Sequence, residues 1–178
     1  MATILRALPF FDDPTFLNVQ GERVRVKAHQ IVLWVSLGLK NRNSPPDVKQ
    51  RFPAILDIGH SHNFSLSEHH LVQWAGFSLQ ALPHLGRVRI HGRPVPLVAL
   101  NIWIHYNQPR ERDLLLPKSP HRIELDSGVA VYPSGTTGAP RLPLLGLRGL
   151  RRADLQLRVD CQKCRVSLGT PWRIWFLT

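Results

Sequence analysis

The chain has 178 residues, 43% of them hydrophobic, with 23 Lys and Arg against 12 Asp and Glu for a formal charge of +11. This length fits one domain with a substantial core, and no run approaches the ~20 apolar residues that a membrane-spanning helix needs. The charge favours encounters with nucleic acid, anionic surfaces or acidic peptides, although many arginines stand singly between strand residues, as in Arg23-Val24-Arg25 and Arg87-Val88-Arg89, the pattern of a solvated basic face.

Residues 1–21, with Pro9, Phe10, Phe11, Pro14 and Phe16, read as an extended arm that lays aromatics on the domain surface. Met1 to Asp13 carries one basic residue and a brief apolar stretch soon followed by acids, unlike a signal peptide. From Glu22 the pattern alternates through Val24 and Val26 into Ile31–Leu37, predicting one long or bent strand or a tight pair. A loop, Asn41 to Pro46, then leads to the stretch around which the chain is organised, Phe52 to Leu66.

In that stretch Ala54, Ile55 and Leu56 predict a short buried strand, and Asp57-Ile58-Gly59-His60-Ser61 a turn in which Gly59 permits a tight backbone. A carboxylate directly after a core strand is costly unless it is hydrogen-bonded or shares its site with a partner group, which marks Asp57 as a functional candidate. Ser65 with Glu68 has capping-box spacing and predicts a helix from Ser65 to Trp74. A hairpin follows around His91-Gly92-Arg93-Pro94, its second arm running apolar to Tyr106.

Asp126-Ser127-Gly128 is a rival acidic turn, but charged Arg122 and Glu124 precede it, and the same three residues make an ordinary hairpin turn between Ile123–Leu125 and Val129–Val131. The Ser134–Pro140 loop lacks the lysine of a phosphate-binding loop. Leu144-Leu145-Gly146 then opens a short helix over Leu147–Ala153, followed by two strand-like runs flanking Cys161-Gln162-Lys163-Cys164. This is the only cysteine pair; half a zinc site, a redox pair and incidental turn thiols all use such spacing, and its place in a hairpin turn favours the last. The cysteine usage fits a reducing, cytoplasmic setting. The nine histidines include His60, His62 and His70, which with Asp57 could surround zinc, but no established metal-site spacing is met.

Ile55-Leu56-Asp57-Ile58-Gly59-His60-Ser61 resembles the active-site turn of retropepsin-like aspartic proteases, in which apolar residues lead into Asp-Thr/Ser-Gly. Leu144-Leu145-Gly146 is similar to the apolar-apolar-Gly step that opens that family's helix before its terminal hairpin. The resemblance covers residues 22–169 and leaves 170–178 as an apolar C-terminal tail. It implies a mostly β fold, a closed acid-protease barrel with one or two short helices. It also implies a homodimer in which Asp57 of each subunit meets across a two-fold axis, cleaves polypeptide without metal or cofactor, and lies beneath a flap, either 87–98 or the loop after Tyr106. Ile58 departs from the family's Thr or Ser, whose hydroxyl braces the paired loops. A catalytically silent domain kept for protein binding is therefore the alternative, and a basic nucleic-acid-binding β-domain is a third that rests on charge.

Overall fold

In this computed structural model, which describes residues 3–47, 50–90 and 92–171, the apolar runs become fourteen strands. In chain order they are β1 (Thr3–Pro9), β2 (Thr15–Val19), β3 (Glu22–Val26), β4 (Val32–Leu39), β5 (Phe52–Asp57), β6 (Phe64–Ser67), β7 (His84–Ile90), β8 (Arg93–Val98), β9 (Leu100–Ile104), β10 (His121–Ile123), β11 (Val129–Tyr132), β12 (Leu144–Gly146), β13 (Gln156–Asp160) and β14 (Arg165–Gly169). A helical turn at His70–Trp74, a tighter one at Leu79–Ala81 and the helix α1 (Leu147–Arg152) complete the described elements. No helix among the described residues is long and apolar enough to cross a membrane.

Nine strands form one sheet in the order β10-β9-β4-β5-β12-β6-β11-β8-β7. Its central members are apolar on both faces: all of Leu100–Ile104 is buried, and Val32, Leu33, Val35 and Leu37 of β4 are at most 1% exposed. Continuous rather than alternating hydrophobicity is what a strand covered on both faces requires. The covers include β1-β14-β13, a separate three-stranded sheet whose Ile4, Leu5, Leu8, Val166 and Leu168 are buried, and the β2-β3 hairpin, which contributes Leu17, Val19 and Val26.

Three expectations change. The first 21 residues are more than an arm, because β1 pairs antiparallel with β14 and β2 with β3, while Phe11 and Phe16 do remain on the surface. The sheet is open rather than a closed barrel: β10 and β7 are its edges and are unpaired with each other among the described residues. β10 has only three residues, and β7 is exposed over most of its length apart from Ile90, which packs with Val95, Ala130 and Tyr132. The terminal residues 172–178, most of the expected apolar tail, lie outside the described residues, as does His91.

The predicted helix from Ser65 starts later because Ser65 is a fully buried β6 residue. Ser67 takes the capping role: its Oγ accepts a hydrogen bond from the His70 N–H at 3.3 Å, and its own N–H donates to His70 Nδ1 at 3.3 Å. This is capping-box reciprocity with histidine where glutamate is usual. Glu68 instead reaches the Ser134 N–H and hydroxyl, each at 2.9 Å. His70 stacks on Trp74 at 4.3 Å, and burial followed by the neighbouring His69 pushes its pKa down to about 4. A second buried histidine, His105, hydrogen-bonds Ser36 Oγ at 3.0 Å; burial, then Arg51, lowers its pKa to about 4 as well.

Both imidazoles are thus neutral in the fold where an unfolded histidine, with a pKa near 6.5, takes a proton. Between about pH 6.5 and 4 the unfolded chain binds more protons, so stability falls as pH drops through that window and these two groups add no further loss below it. Urea midpoints followed by tryptophan fluorescence from pH 7 to 4 should decline accordingly, and His105→Asn should roughly halve the slope. A midpoint independent of pH across that range would show that neither imidazole is held neutral.

Candidate active site

Asp57 is the last residue of β5, and its position is set by an unusual neighbour. Strand β12 lies between β5 and β6, parallel to the first and antiparallel to the second, with Leu144 opposite Ile55, Leu145 opposite Leu56 and Gly146 opposite Asp57. The chain between Asp57 and Phe64 must therefore loop over the end of β12. It does so tightly. The His60 N–H donates to the Asp57 carbonyl at 3.1 Å, the Gly59 N–H donates to Asp57 Oδ1 at 2.9 Å, and the Gly146 N–H donates to the Asn63 carbonyl at 3.1 Å.

A Cβ at Gly146 would run into the His62 carbonyl oxygen and lie 2.5 Å from that of His60, and a Cβ at Gly149 would lie 2.9 Å from the Asn63 carbonyl oxygen. The Leu-Leu-Gly segment is thus the post around which the Asp57 loop is wound, and glycine is demanded there by close backbone approach. The loop's histidines serve the same end. His60 Nε2 is 2.8 Å from the Ser65 hydroxyl, and the His60 and His62 rings meet edge to face at 5.5 Å. Burial, then the charge of Arg148, lowers the pKa of His62.

The Asp57 carboxylate faces a cleft of about 490 Å³, lined also by Gly59, His60, Arg89, Ile90, Tyr132 and Pro140. Arg89 and Ile90 come from the tip of the β7-β8 hairpin, so part of 87–98, and no residue of the loop after Tyr106, lines the cleft. That later loop is tied down elsewhere: the Asn107 side chain accepts from the Arg6 N–H at 2.8 Å and donates to the Arg6 and Glu111 carbonyls. Ile58, beside Asp57, is 67% exposed, a large aliphatic side chain standing in solvent.

Asp126 does not line this cleft. The Gly128 N–H donates to the Leu125 carbonyl at 3.1 Å, closing a turn, but the flanking strands do not pair with each other as a hairpin would: β10 pairs with β9, and β11 with β6 and β8. Asp126 Oδ1 accepts from Asn63 Nδ2 at 3.0 Å and from the Ser127 N–H at 2.8 Å, and Oδ2 pairs with Arg152 at 3.1 Å. The hydrogen bond from Asn63, followed by that from Ser127, holds its carboxyl well below the usual range, at about 2. Asp126 is a brace: through Asn63 it anchors the Asp57 loop, and through Arg152 it anchors α1. Asn63, 3% exposed, is the positioning residue that sequence reading missed; its place at the end of the turn gave no sign of a partner more than 60 positions away.

Other candidates scatter. Among the described residues no three His, Cys, Asp or Glu side chains gather at metal-binding distance. His70 is buried under Trp74, apart from the His60–His62 pair. Cys161 and Cys164 are free thiols at the β13-β14 turn, with Cys164 Sγ 3.5 Å from Asp12 Oδ1. Comparison with family models, with curated proteins and with solved structures yields no match to this chain.

The geometry around Gly146 makes a direct prediction. Gly146→Ala should destabilise the fold by about 1–3 kcal/mol, because the obstructing atoms are backbone and cannot swing aside. Asn63→Ala, measured in the same denaturation series, should cost about 1–3 kcal/mol by freeing a buried network from its hub. A Gly146→Ala protein as stable as wild type would mean the loop is not wound on this post.

Proposed function

We propose that this protein is an aspartic endopeptidase that works as a homodimer, with Asp57 and its symmetry mate activating a water against a peptide carbonyl. The observation that carries the reading is the pairing of Gly146 with Asp57 across two parallel strands, with a carboxylate turn at the strand end and the tip of a hairpin lining the same cleft. Such an arrangement holds one acid at the edge of a cleft with its own loop amide as partner and leaves one carboxylate oxygen unbonded among the described residues. One carboxylate cannot serve as both base and acid. Two brought together share a proton, so that one takes a proton from water while the other gives one to the carbonyl oxygen.

Exposure of Ile58 supports the dimer. Burying an aliphatic side chain of this size is worth about 1.5–3 kcal/mol, and a two-fold contact buries two of them next to the acids. The same residue favours a second reading, a fold retained for binding polypeptide without cleaving it, because Ile58 offers no hydroxyl to brace the paired loops. The free thiols fit the reducing, cytoplasmic setting that accompanies either reading.

Cleavage of a diverse peptide pool separates the two. Wild type should cleave between about pH 4 and 7, Asp57→Asn should lose at least ~100-fold of the rate, and Asp126→Asn should retain most of it in the folded fraction. Ile58→Asp, an exposed change that spares the core, should give a folded monomer by sedimentation and lose cleavage with the dimer. A folded, dimeric wild type that cleaves nothing would leave the binding-module reading in place.

A further inference from the structure

The cleft at Asp57 has a neighbour. A second cleft of about 550 Å³ adjoins it, sharing Pro140 and Leu144 as lining residues, and lies among residues of β3, β5 and the 140–144 segment. The two clefts together make a trough with four cationic side chains, Arg25 on β3, Lys27 just after it, Arg141 before β12 and Arg89 on β7, all of them exposed. Asp57 is the single carboxylate lining either part. Among the described residues none of the four has a carboxylate within ion-pair distance, whereas Arg112, Arg122, Arg152 and Lys163, away from the trough, each have one.

Cations left unpaired along a groove with low-dielectric walls focus a positive potential into it. The walls are aliphatic: Pro14, Ile55, Leu142 and Leu144 lie between the charges. Arg25 lies near the end of β3 and Lys27 just beyond it, and both line the same cleft. Taking the Asp57 cleft as the substrate groove of the proposed enzyme, we infer that its substrate class is acidic polypeptide, with Glu or Asp flanking an apolar centre. Nucleic acid would also answer the charge, but recognition of single strands stacks bases on aromatic side chains, and the β3 part of the trough offers none.

Binding by the full chain carrying Asp57→Asn tests this without depending on catalysis. The probes are a short fluorescent peptide with glutamates flanking an apolar centre, its glutamine counterpart, and a single-stranded oligonucleotide of matched charge, followed by anisotropy at low and physiological salt. The glutamate peptide should bind about tenfold tighter than the glutamine one, and Arg25→Gln with Arg141→Gln should erase that difference while Arg158→Gln on β13 leaves it. Equal affinity for the two peptides, or equal loss with Arg158→Gln, would overturn the inference, and tighter binding of the oligonucleotide would overturn it in favour of nucleic acid. Selective peptide binding by a protein whose wild type cuts none of these peptides would uphold acidic recognition and remove the protease reading alone.

Discussion

The close passage of the 57–63 loop over the end of β12 is the constraint on which the rest of the site depends. A three-residue strand inserted between β5 and β6 forces the intervening chain to turn back within a few residues. That turn is possible only because Gly146 and Gly149 present bare backbone to the carbonyls of His60, His62 and Asn63. Once the loop is wound, Asp57 has one oxygen bound to the Gly59 amide, and its direction is fixed by main-chain geometry rather than by a long side chain's rotamer. Adding hydrogen bonds from Asn63 to the Asp126-Ser127 turn locks the far end of the same loop, so the acid is held from both sides.

Two Asp-x-Gly turns in one chain stand in opposite electrostatic environments. Asp126 has donors on one oxygen and Arg152 on the other, so it is bound into the structure as a permanent anion. Asp57 has no cationic partner within ion-pair distance among the described residues, so its charge remains available to a second acid, a water or a substrate. A fully paired carboxylate resists protonation and is a poor proton shuttle, whereas one at a cleft edge can change state when something arrives.

Much of this was legible because the signals are local. The apolar run before Asp57, the Leu-Leu-Gly step, the short helix after it and the terminal hairpin all depend on near neighbours in the chain, and each stands where the pattern put it. The misreadings depended on distant pairing. Ser65 has the spacing of a helix cap but is claimed by β6, whose partners β11 and β12 lie about 65 and 80 positions further on. The first residues lack a strand-like alternation strong enough to predict β1, which exists because β14 offers it an edge. Closure of the sheet into a barrel likewise turns on whether its two edge strands, β10 and β7, pair with each other, and no local residue pattern records that.

Acidity pulls on this molecule in two directions. A carboxylate pair needs one of its protons, and in the proposed dimer the repulsion between two Asp57 anions is what supplies it, by raising the affinity of the pair for that proton above that of a lone aspartate. Lowering the pH would supply the proton more simply, but His70 and His105 are both held neutral in the folded chain down to about pH 4, and each weakens the fold as the unfolded chain begins to take up protons below 6.5. In the proposed dimer the working range would therefore be bounded below by the fold and above by loss of the shared proton. In that proposal close apposition of the two acids would widen the range upward, and Ile58, exposed and without a hydroxyl, would drive the apposition by burial but not fix it by hydrogen bonding, so dimer strength would set where activity ends.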